Sequence, residues 1–277
     1  QMERQIKNPK HIIISRKGFD SQNGCIPNPI LPDGTLLVFP IPDQNDTENT
    51  FETLKHNGVS YYEIIKQLCP KSNIKPTDGC HLDPDLDITN IKRKDGWRPA
   101  FGQAMSPLGH LYNNNVDEGD LFLFFGWFKQ TEYYNGKLRY VPNAPDLHIM
   151  FGYLQIDKVV KDEKSVPNFL KAAHPHDKKF RWERGQNAIF VATDNLTFAP
   201  EYNGGGMFRY DKKRVLTKPG MSRRVWDMPL FFKDIEISYH KNAWKGNDFY
   251  SVCKGQEFVF EPNEQAMEWA KNIIISK

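Results

Sequence analysis

The run LFLFFGWF at residues 121–128 is apolar at nearly every position, and the turn-forming pair Gly119-Asp120 directly precedes it. A strand with one face in water would alternate apolar and polar side chains, so this unbroken run predicts a strand buried on both faces. Such a strand lies at the centre of a sheet. The composition allows a substantial core around it, because 39% of the 277 residues are hydrophobic and 13% are aromatic.

Several other segments predict secondary structure. Residues 11–15 hold three consecutive isoleucines and predict a buried strand, with residues 36–41 as its hairpin partner, entered through the Asp33-Gly34 turn. Ser60 and Glu63 form a capping box ahead of a helix that Pro70 ends. Further strands are predicted at residues 147–160, where Gly152 permits a bulge, at 188–193 and at 258–260, and a last helix is predicted at 263–275 with Asn263 as its cap.

Strands outnumber helices in this pattern, and strand and helix do not alternate regularly. The expected class is therefore α+β, with mixed, mostly antiparallel strands forming a sheet or a barrel, flanked by helices and long loops. We expect a single domain over residues 1–277, with 1–10 as a flexible N-terminal segment. The longest irregular stretches are 71–116 and 161–187, and loops of this length in a compact domain are usually functional or mobile.

The sequence also indicates a compartment. It contains no run of about 18 apolar residues that would span a membrane, and its charged N-terminus lacks a hydrophobic signal core. The four cysteines follow no zinc-binding or CxxC spacing, which predicts free thiols in a reducing compartment. We therefore expect a cytoplasmic protein without a membrane partner.

The first candidate site is the segment SRKGFDS at residues 15–21, where the first predicted strand ends. Its guanidinium, ammonium and hydroxyl groups suit an anionic ligand such as a phosphate, and Gly18 lets the backbone approach closely. The alternative is a charged surface turn in which Asp20 pairs with Arg16. The candidate phosphate-binding residues are Ser15, Arg16, Lys17, Asp20, Ser21 and Asp33.

The second candidate site is HLDPDLD at residues 81–87, in which one imidazole and three carboxylates occupy alternate positions. We expect His81, Asp83 and Asp85 to act as catalytic acid, base or metal ligands, with Asp83 and Asp85 holding Mg²⁺ or Mn²⁺. The segment is not an EF-hand, because Ile88 stands where that loop needs glycine. The alternative is a turn rich in Asp and Pro.

The third candidate is a set of basic and aromatic residues, which suits a phosphate backbone with stacked bases. Its members are Trp127, Arg209, Tyr210, Arg223 and Trp226. The alternative is a solvated run of charge, since the net charge of the chain is only +3. The pair His174 and His176, beside a proline in a lysine-rich loop, is expected to be solvated rather than to bind metal.

The opening segment and later blocks resemble a known family. The run SRKGFDS with Pro27, Asp33-Gly34 and Pro40, the run HLDPD at 81–85, and GDLFLFFG at 119–126 are similar to blocks of the nucleotide modification associated domain 3 family. This resemblance covers residues 12–195 and implies a setting in phage or bacterial systems that modify nucleic-acid bases, without implying a reaction. In this sequence Asn23-Gly24-Cys25 stands where the family would place a glycine pair.

The Gly119-Asp120 step before a buried strand, together with Gly152 in a later strand, also resembles the barrel entry of PUA-like domains, which hold nucleic acid or an extruded base. The sequence thus favours a protein that handles nucleic acid or a nucleotide, such as a modified-base binding module with a pocket of Phe125, Trp127 and Trp226. A metal-assisted enzyme acting on a nucleotide or nucleobase is the second hypothesis. An accessory interaction protein without a site of its own is the third.

Overall fold

The computed structural model describes residues 7–275, so part of the predicted N-terminal segment lies outside the described residues. The strands are β1 (Ile12–Arg16), β2 (Asn28–Ile30), β3 (Ile41–Pro42), β4 (Lys55–His56), β5 (Val59–Ser60), β6 (Cys80–His81), β7 (Ala100–Ala104), β8 (Leu121–Tyr134), β9 (Lys137–Tyr140), β10 (Leu147–Val160), β11 (Asn187–Ala192), β12 (Gly205–Met207), β13 (Val225–Trp226), β14 (Trp244–Lys245), β15 (Asp248–Tyr250) and β16 (Glu257–Phe260). The α-helices are α1 (Tyr61–Leu68), α2 (Met105–Asn113), α3 (Lys179–Glu183) and α4 (Glu264–Ile274).

A nine-stranded mixed sheet forms the centre of the described structure, with the order β16-β1-β8-β10-β11-β7. Strands β2 and β9 also pair with β8, and β12 pairs with β10. Only β1 and β2 run parallel to β8, and the other pairings in the sheet are antiparallel. The sheet does not close into a barrel, so of the two predicted arrangements the α+β sheet is confirmed and the PUA-like barrel is not formed.

The predicted central strand is confirmed as β8, whose first five residues are fully buried. It extends beyond the apolar run to Tyr134, where a tight turn leads into β9. Strand β10 also forms as predicted, and its register against β8 shifts between Met150 and Gly152, which is the predicted bulge. A side chain at Gly152 would collide with Leu86 Cδ1 and the Gly206 carbonyl, so the glycine lets these segments approach.

The predicted hairpin between residues 11–15 and 36–41 is wrong. Strand β1 pairs with β8 on one side and β16 on the other, and these partners lie far along the chain. The Asp33-Gly34 turn does form, with Gly34 at φ +87°, but it brings Leu36 beside Ile30. Turn chemistry fixes the local reversal, and it does not tell which of the flanking segments pair in the sheet.

Helix signals in the sequence are confirmed at both helices that they predict. The Ser60 hydroxyl accepts from the Glu63 amide at 3.1 Å, and the Glu63 carboxylate accepts from the Ser60 amide at 3.1 Å, which completes the capping box of α1. Asn263 caps α4 by accepting from the Ala266 amide at 2.9 Å. Helix α2 and strand β7 lie in the stretch 71–116, where the sequence predicted only irregular structure.

No helix within residues 7–275 is both long and apolar enough to cross a bilayer, and α4, the longest, has 11 residues. The four cysteines all carry free thiols. The two long stretches predicted as irregular converge on one side of the sheet, where β6, β7 and the loop before α3 meet the end of β1. Ionisable side chains from several elements gather there around a single cavity.

Candidate metal centre and anion-binding cleft

A cleft of about 430 Å³ lies beside the sheet, between the end of β1 and the residues that follow β6. Arg16, Asp20, His81 and Asp83 all line it, although they come from two segments far apart in the chain. Strand β7 forms another wall, and His176 and Arg181 enter from the loop before α3 and from α3 itself. The structure thus brings the first two predicted sites together in one cavity.

Three side chains in the cleft direct ligand atoms at a common point. Asp83 Oδ2 lies 3.3 Å from His176 Nε2 and 3.5 Å from His81 Nε2, and all three ligand atoms lie within 4.8 Å of one another. Two ligands on one tetrahedral ion with bonds of about 2.1 Å are separated by about 3.4 Å. Asp83 Oδ2 therefore lies at about this separation from both histidine nitrogens, and the three atoms could serve as ligands of a single metal ion.

The hydrogen bonds of His176 leave its Nε2 free to bind metal. Asn187 Nδ2 donates to the His176 carbonyl at 2.9 Å, which turns the amide oxygen of Asn187 toward the ring. That oxygen lies 2.7 Å from His176 Nδ1, so Nδ1 carries the ring proton and donates it. The Nε2 lone pair consequently points at Asp83 without a proton, as the neutral imidazole of a metal ligand requires.

His81 has the same arrangement with a carboxylate as its partner. Its Nδ1 lies 3.3 Å from Asp43 Oδ2, so the proton on Nδ1 faces Asp43 and Nε2 faces the cleft. A carboxylate behind a metal-binding imidazole fixes the tautomer and raises the basicity of the ring. Asp43 follows β3, which pairs with β6, so the β-bridge between Ile41 and His81 holds the two side chains together.

His174 differs from the other two histidines. Its Nδ1 accepts the backbone N–H of His176 at 3.1 Å, so in the neutral ring the proton lies on Nε2, and that atom faces Asp83 Oδ1 at 3.4 Å. The backbone N–H of Gly102 donates to the same oxygen at 2.9 Å. Oδ1 of Asp83 is therefore bonded to the Gly102 amide and faces His174, while Oδ2 faces the two proposed metal-binding nitrogens.

Burial and charge set the protonation states in this centre. Burial lowers the pKa of His176 to about 4, and the Asp83 carboxylate only partly opposes this effect. The low pKa keeps the ring neutral near pH 7. Burial alone would raise the pKa of Asp83, but the three neighbouring imidazoles of His174, His176 and His81 hold it well below its usual value. Burial opposes a charge on His81, and Asp43 and Asp83 together nevertheless raise the pKa of that ring.

The donor set narrows the class of metal. Two imidazoles and one carboxylate suit Zn²⁺, Fe²⁺ and related transition metals, whereas Mg²⁺ prefers a shell of oxygen ligands. The Mg²⁺ or Mn²⁺ expected from Asp83 and Asp85 would have needed a second carboxylate. Three protein ligands also leave positions open for water or substrate, which is typical of catalytic rather than structural metal sites.

Three cationic side chains surround the candidate metal centre. Lys17 Nζ lies 2.8 Å from Glu257 Oε1, and Arg181 Nη2 lies 3.6 Å from Asp43 Oδ2. Arg16 Nη2 donates to the Val252 carbonyl at 2.5 Å, and within residues 7–275 no carboxylate lies within ion-pair distance of Arg16. The buried Nε atoms of Arg16 and Arg181 have no hydrogen-bond partner in the described part of the chain. These groups can bind an anion next to the metal centre.

Ser21 and Arg223 lie together just outside the cleft. Arg223 Nη2 donates to Ser21 Oγ at 2.7 Å, and its guanidinium carbon lies 4.2 Å from the centroid of the Trp127 ring. Trp127 is half-buried and donates through Nε1 to Asp146. Ser21 from the first predicted site is thus in direct contact with Arg223 from the third, and Arg223 with Trp127 from that same third set, beside Asp20 at the edge of the cavity.

Other predicted site residues lie elsewhere. Asp85 is buried and bonds Arg93 through both carboxylate oxygens at 2.6 Å, so its carboxylate is occupied by that guanidinium. Ser15 is fully buried in β1 and does not line the cleft. Trp226 is 1% exposed and donates to His148 Nδ1 at 3.0 Å, so it is part of the core and no base can stack on it.

Asp33, Arg209 and Tyr210 form a separate group around the Asp33-Gly34 turn. The guanidinium of Arg209 donates to the Asp33 carbonyl, and the Tyr210 amide donates to the Gly34 carbonyl at 2.8 Å. Asp33 itself caps its own turn by accepting from the Thr35 amide at 2.9 Å. These contacts fix a turn, and none of the three residues lines the cleft.

His174 and His176 were expected to be solvated, and that expectation is wrong, because they are only 1% and 3% exposed. The signal that could have revealed them is the spacing of two histidines around a proline, which lets both rings turn inward from one tight loop. Asp43, Gly102 and Asn187 carry no such signal. They act through single contacts that only the folded chain creates.

Comparison with known proteins gives one match. The model of a family described as nucleotide modification associated domain 3 matches residues 11–261, which is most of the chain. No curated protein matches the sequence, and no solved structure matches it. The matched range includes every residue of the candidate metal centre and of the surrounding cleft.

Proposed function

Because the chain belongs to the nucleotide modification associated domain 3 family, we propose that it is a metal-dependent enzyme that acts on a nucleotide or its base. The observation that carries the proposal is the convergence of His81 Nε2, Asp83 Oδ2 and His176 Nε2 on one point inside a cationic cleft. The family links the chain to nucleotide modification, and the geometry supplies a centre at which chemistry can occur.

The residues around the centre have distinct roles in this proposal. His81, Asp83 and His176 hold the metal, which polarises a substrate atom or lowers the pKa of a bound water. Arg16 and Arg181 bind the phosphate of the substrate, and Lys17 adds positive charge at the same wall of the cleft. Asp43, His174, Asn187 and the Gly102 amide orient the ligands and are positioning groups.

A module that only binds a modified base is supported less well. Such a module stacks the base between exposed aromatic rings. Of the three aromatic residues expected to form that pocket, Phe125 is 0% and Trp226 is 1% exposed, and only Trp127 reaches the surface. Binding a base by stacking also does not require the cluster of metal-ligand atoms formed by His81, Asp83 and His176.

The proposal is tested by measuring metal binding and turnover on the same samples. The wild-type protein is stripped with a chelator and reloaded with Zn²⁺, with Fe²⁺ under anaerobic conditions, or with Mg²⁺. Each form is then incubated with a mixture of nucleotides and oligonucleotides. The products are digested to nucleosides, and the nucleoside masses are measured by mass spectrometry. We expect a mass change that needs Zn²⁺ or Fe²⁺ and disappears in the stripped protein.

Two histidine variants separate the centre from unspecific metal binding. His176→Ala removes a proposed ligand, so we expect it to lose both the bound metal and the mass change. His56→Ala is the matched control, because among residues 7–275 the His56 ring bonds Asn57 alone and does not line the cleft. A wild-type protein that binds no transition metal, or a His176→Ala variant that binds it as tightly as wild type, would contradict the proposal.

A further inference from the structure

The contact between Ser21, Arg223 and Trp127 forms a patch at the edge of the cleft, which we name the Arg223 patch. We propose that this patch binds the strand next to the target nucleotide, so that the substrate is a single-stranded polynucleotide rather than a free nucleotide. The proposal rests on the function proposed above and adds the class of substrate to it. Its support comes from the geometry of the Arg223 patch, the charges around the patch and the depth at which the metal centre lies in the cleft.

The geometry of the Arg223 patch fixes a flat cationic surface. The guanidinium carbon of Arg223 lies 4.2 Å from the Trp127 ring centroid, and Nη2 donates to Ser21 Oγ at 2.7 Å. Trp127 is itself held by its hydrogen bond to Asp146 at 2.9 Å. Guanidinium planes and aromatic rings are the surfaces on which unpaired bases stack, and both occur here in one fixed group.

The charges around the patch favour an anion. Within residues 7–275 neither Arg223 nor Arg16 has a carboxylate within ion-pair distance, whereas Arg93 and Arg139 each have one and Arg98 has two. Burial lowers the pKa of Arg16, the charges of Cys253 and Asp20 oppose that effect, and the positive charge of Arg223 adds to it. A phosphate at the edge of the cleft could therefore interact with both guanidinium groups.

A second group of cations begins at the residue that follows Arg223 in the chain. The next residue, Arg224, is exposed and lies 5.8 Å from the Tyr250 ring centroid, and Lys245 approaches the same ring to 4.8 Å. These residues belong to the small sheet β13-β15-β14 or adjoin it, and they do not line the cleft. A second group of cations beside an aromatic ring could bind the further backbone phosphates of a polynucleotide.

The depth of the metal centre excludes a base that remains stacked in a duplex. His176 is 3% exposed, and the Asp83 side chain is 3% exposed, so the reacting atom has to enter the cleft. Enzymes that act on buried atoms of a base take single-stranded substrate or extrude the nucleotide. The Arg223 patch lies where the strand on one side of such a nucleotide would leave the cleft.

The test is fluorescence anisotropy with a labelled single-stranded oligodeoxynucleotide, an oligoribonucleotide of the same sequence and the same DNA as a duplex. The metal-loaded protein is titrated at several salt concentrations, and free mononucleotides serve as competitors. We expect a single-stranded probe to bind best, and Arg223→Ala to weaken that binding by about tenfold. The slope of log Kd against log salt should fall by about 0.7, because one phosphate contact is lost.

Two further variants make the result specific. Arg223→Lys keeps the positive charge but not the planar guanidinium group. We therefore expect it to restore the slope of log Kd against log salt and only part of the affinity for the probe. Arg139→Ala is the matched control, because Arg139 also stacks on an aromatic ring, Tyr134, at 3.6 Å, but lies on the β8–β9 hairpin and pairs with Glu132. Arg139→Ala should bind the probe as wild type does.

The inference is overturned if Arg223→Ala binds the probe like wild type, if Arg139→Ala weakens binding equally, or if mononucleotides compete as well as the oligonucleotide. Metal content is measured on every variant, and Arg223→Ala should keep it. An unaltered probe affinity with normal metal content therefore contradicts only the Arg223 patch. A wild-type protein that binds no transition metal would instead contradict the proposed function.

Discussion

Gly102 on β7 lies directly against the ring of His176. A Cβ built at this position would lie 2.2 Å from His176 Cγ and 2.3 Å from Cδ2, which no real contact allows. The imidazole cannot simply rotate away, because Nδ1 is bonded to Asn187 at 2.7 Å. The absence of a side chain at residue 102 is therefore what lets His176 reach the position from which it faces Asp83.

We predict that Gly102→Ala disrupts the metal centre while leaving the sheet folded. The new methyl group displaces the His176 ring, and disturbing the surroundings of a ligand costs about 10- to 100-fold in metal affinity. Overpacking of this kind also lowers the free energy of unfolding by about 1 to 3 kcal/mol. Isothermal titration with Zn²⁺ and urea unfolding measure the two effects.

Gly109→Ala provides the matched control for that substitution. A Cβ at Gly109 would meet only Gln186 Oε1 at 3.7 Å, and the residue lies within α2, where alanine is the better helix former. Its metal affinity should equal that of wild type. An equal loss in both variants would mean that the effect of Gly102→Ala does not come from contact with His176.

His148 provides a pH-dependent contribution to stability. Burial, helped by the charges of Arg16 and Arg223, lowers its pKa to about 3, while the ring in the unfolded chain titrates near pH 6.5. Between these values the unfolded state binds a proton that the folded state does not. The contribution is therefore complete above pH 6.5 and is lost by about 1.4 kcal/mol for each pH unit as the pH falls toward 3.

We predict that His148→Gln flattens this pH dependence. The amide oxygen of glutamine can accept the hydrogen bond that Trp226 Nε1 makes at 3.0 Å, and the amide does not titrate. Between pH 7 and pH 5 the wild type should lose about 2 kcal/mol more of its free energy of unfolding than the variant does. Urea unfolding at the two pH values measures this, and equal losses in both proteins would contradict the assignment.

At the scale of elements, Glu257 joins three strands around the cleft. It lies on β16 and is 1% exposed, and its Oε1 accepts from Lys17 Nζ at 2.8 Å and from Gln103 Nε2 at 2.7 Å. Lys17 follows β1, and Gln103 lies on β7, at the opposite edge of the sheet order. This buried carboxylate therefore fixes the wall of the cleft that carries Lys17.

We predict that Glu257→Ala lowers the free energy of unfolding by about 3 to 5 kcal/mol, because it leaves the ammonium of Lys17 buried and unpaired. The double variant Lys17→Met with Glu257→Gln should recover most of that loss, since no charge then remains without a partner. Glu261→Ala is the control, because its side chain is 85% exposed, and its effect should stay within about 0.5 kcal/mol. Equal losses in the single and double variants would contradict this role.

The elements that the sequence predicts are those whose signals are local. The apolar run of β8, the capping box of α1 and the cap of α4 each lie within a few residues of the structure they produce. The pairing of β1 with β8 and β16 is not local, and the hairpin predicted in its place was wrong. Register between distant strands depends on the packing of the whole sheet, which no short pattern encodes.

At the scale of the whole molecule, the same distinction holds for the site. His81 and Asp83 could be selected as ligands because imidazole and carboxylate stand two residues apart, and Arg16 because it ends an apolar strand. The His-Pro-His spacing could have marked His176 as a ligand but could not assign it to the same site, because His176 reaches the cleft only after the loop before α3 folds against β7. Asp85 shares the spacing of Asp83, yet Arg93 holds its carboxylate.

Metal binding should also stabilise the whole fold, since the ligands come from segments far apart in the chain. At a metal concentration 100 times the Kd the gain is about 2.7 kcal/mol, which for a chain of this size raises Tm by roughly 5 to 10 °C. The single domain that the sequence predicts would unfold in one calorimetric transition that moves as a unit when metal is added. A second transition that metal leaves unmoved would contradict a single cooperative unit.

The most direct measurement is a crystal structure of the metal-loaded protein, with anomalous diffraction data collected at the absorption edge of the metal. One anomalous peak is expected at about 2.0 to 2.2 Å from His81 Nε2, Asp83 Oδ2 and His176 Nε2, with His174 turned toward Asp83 and not bonded to the ion. A loaded crystal with no peak among these three atoms, or with its ion bound elsewhere, would contradict the metal centre.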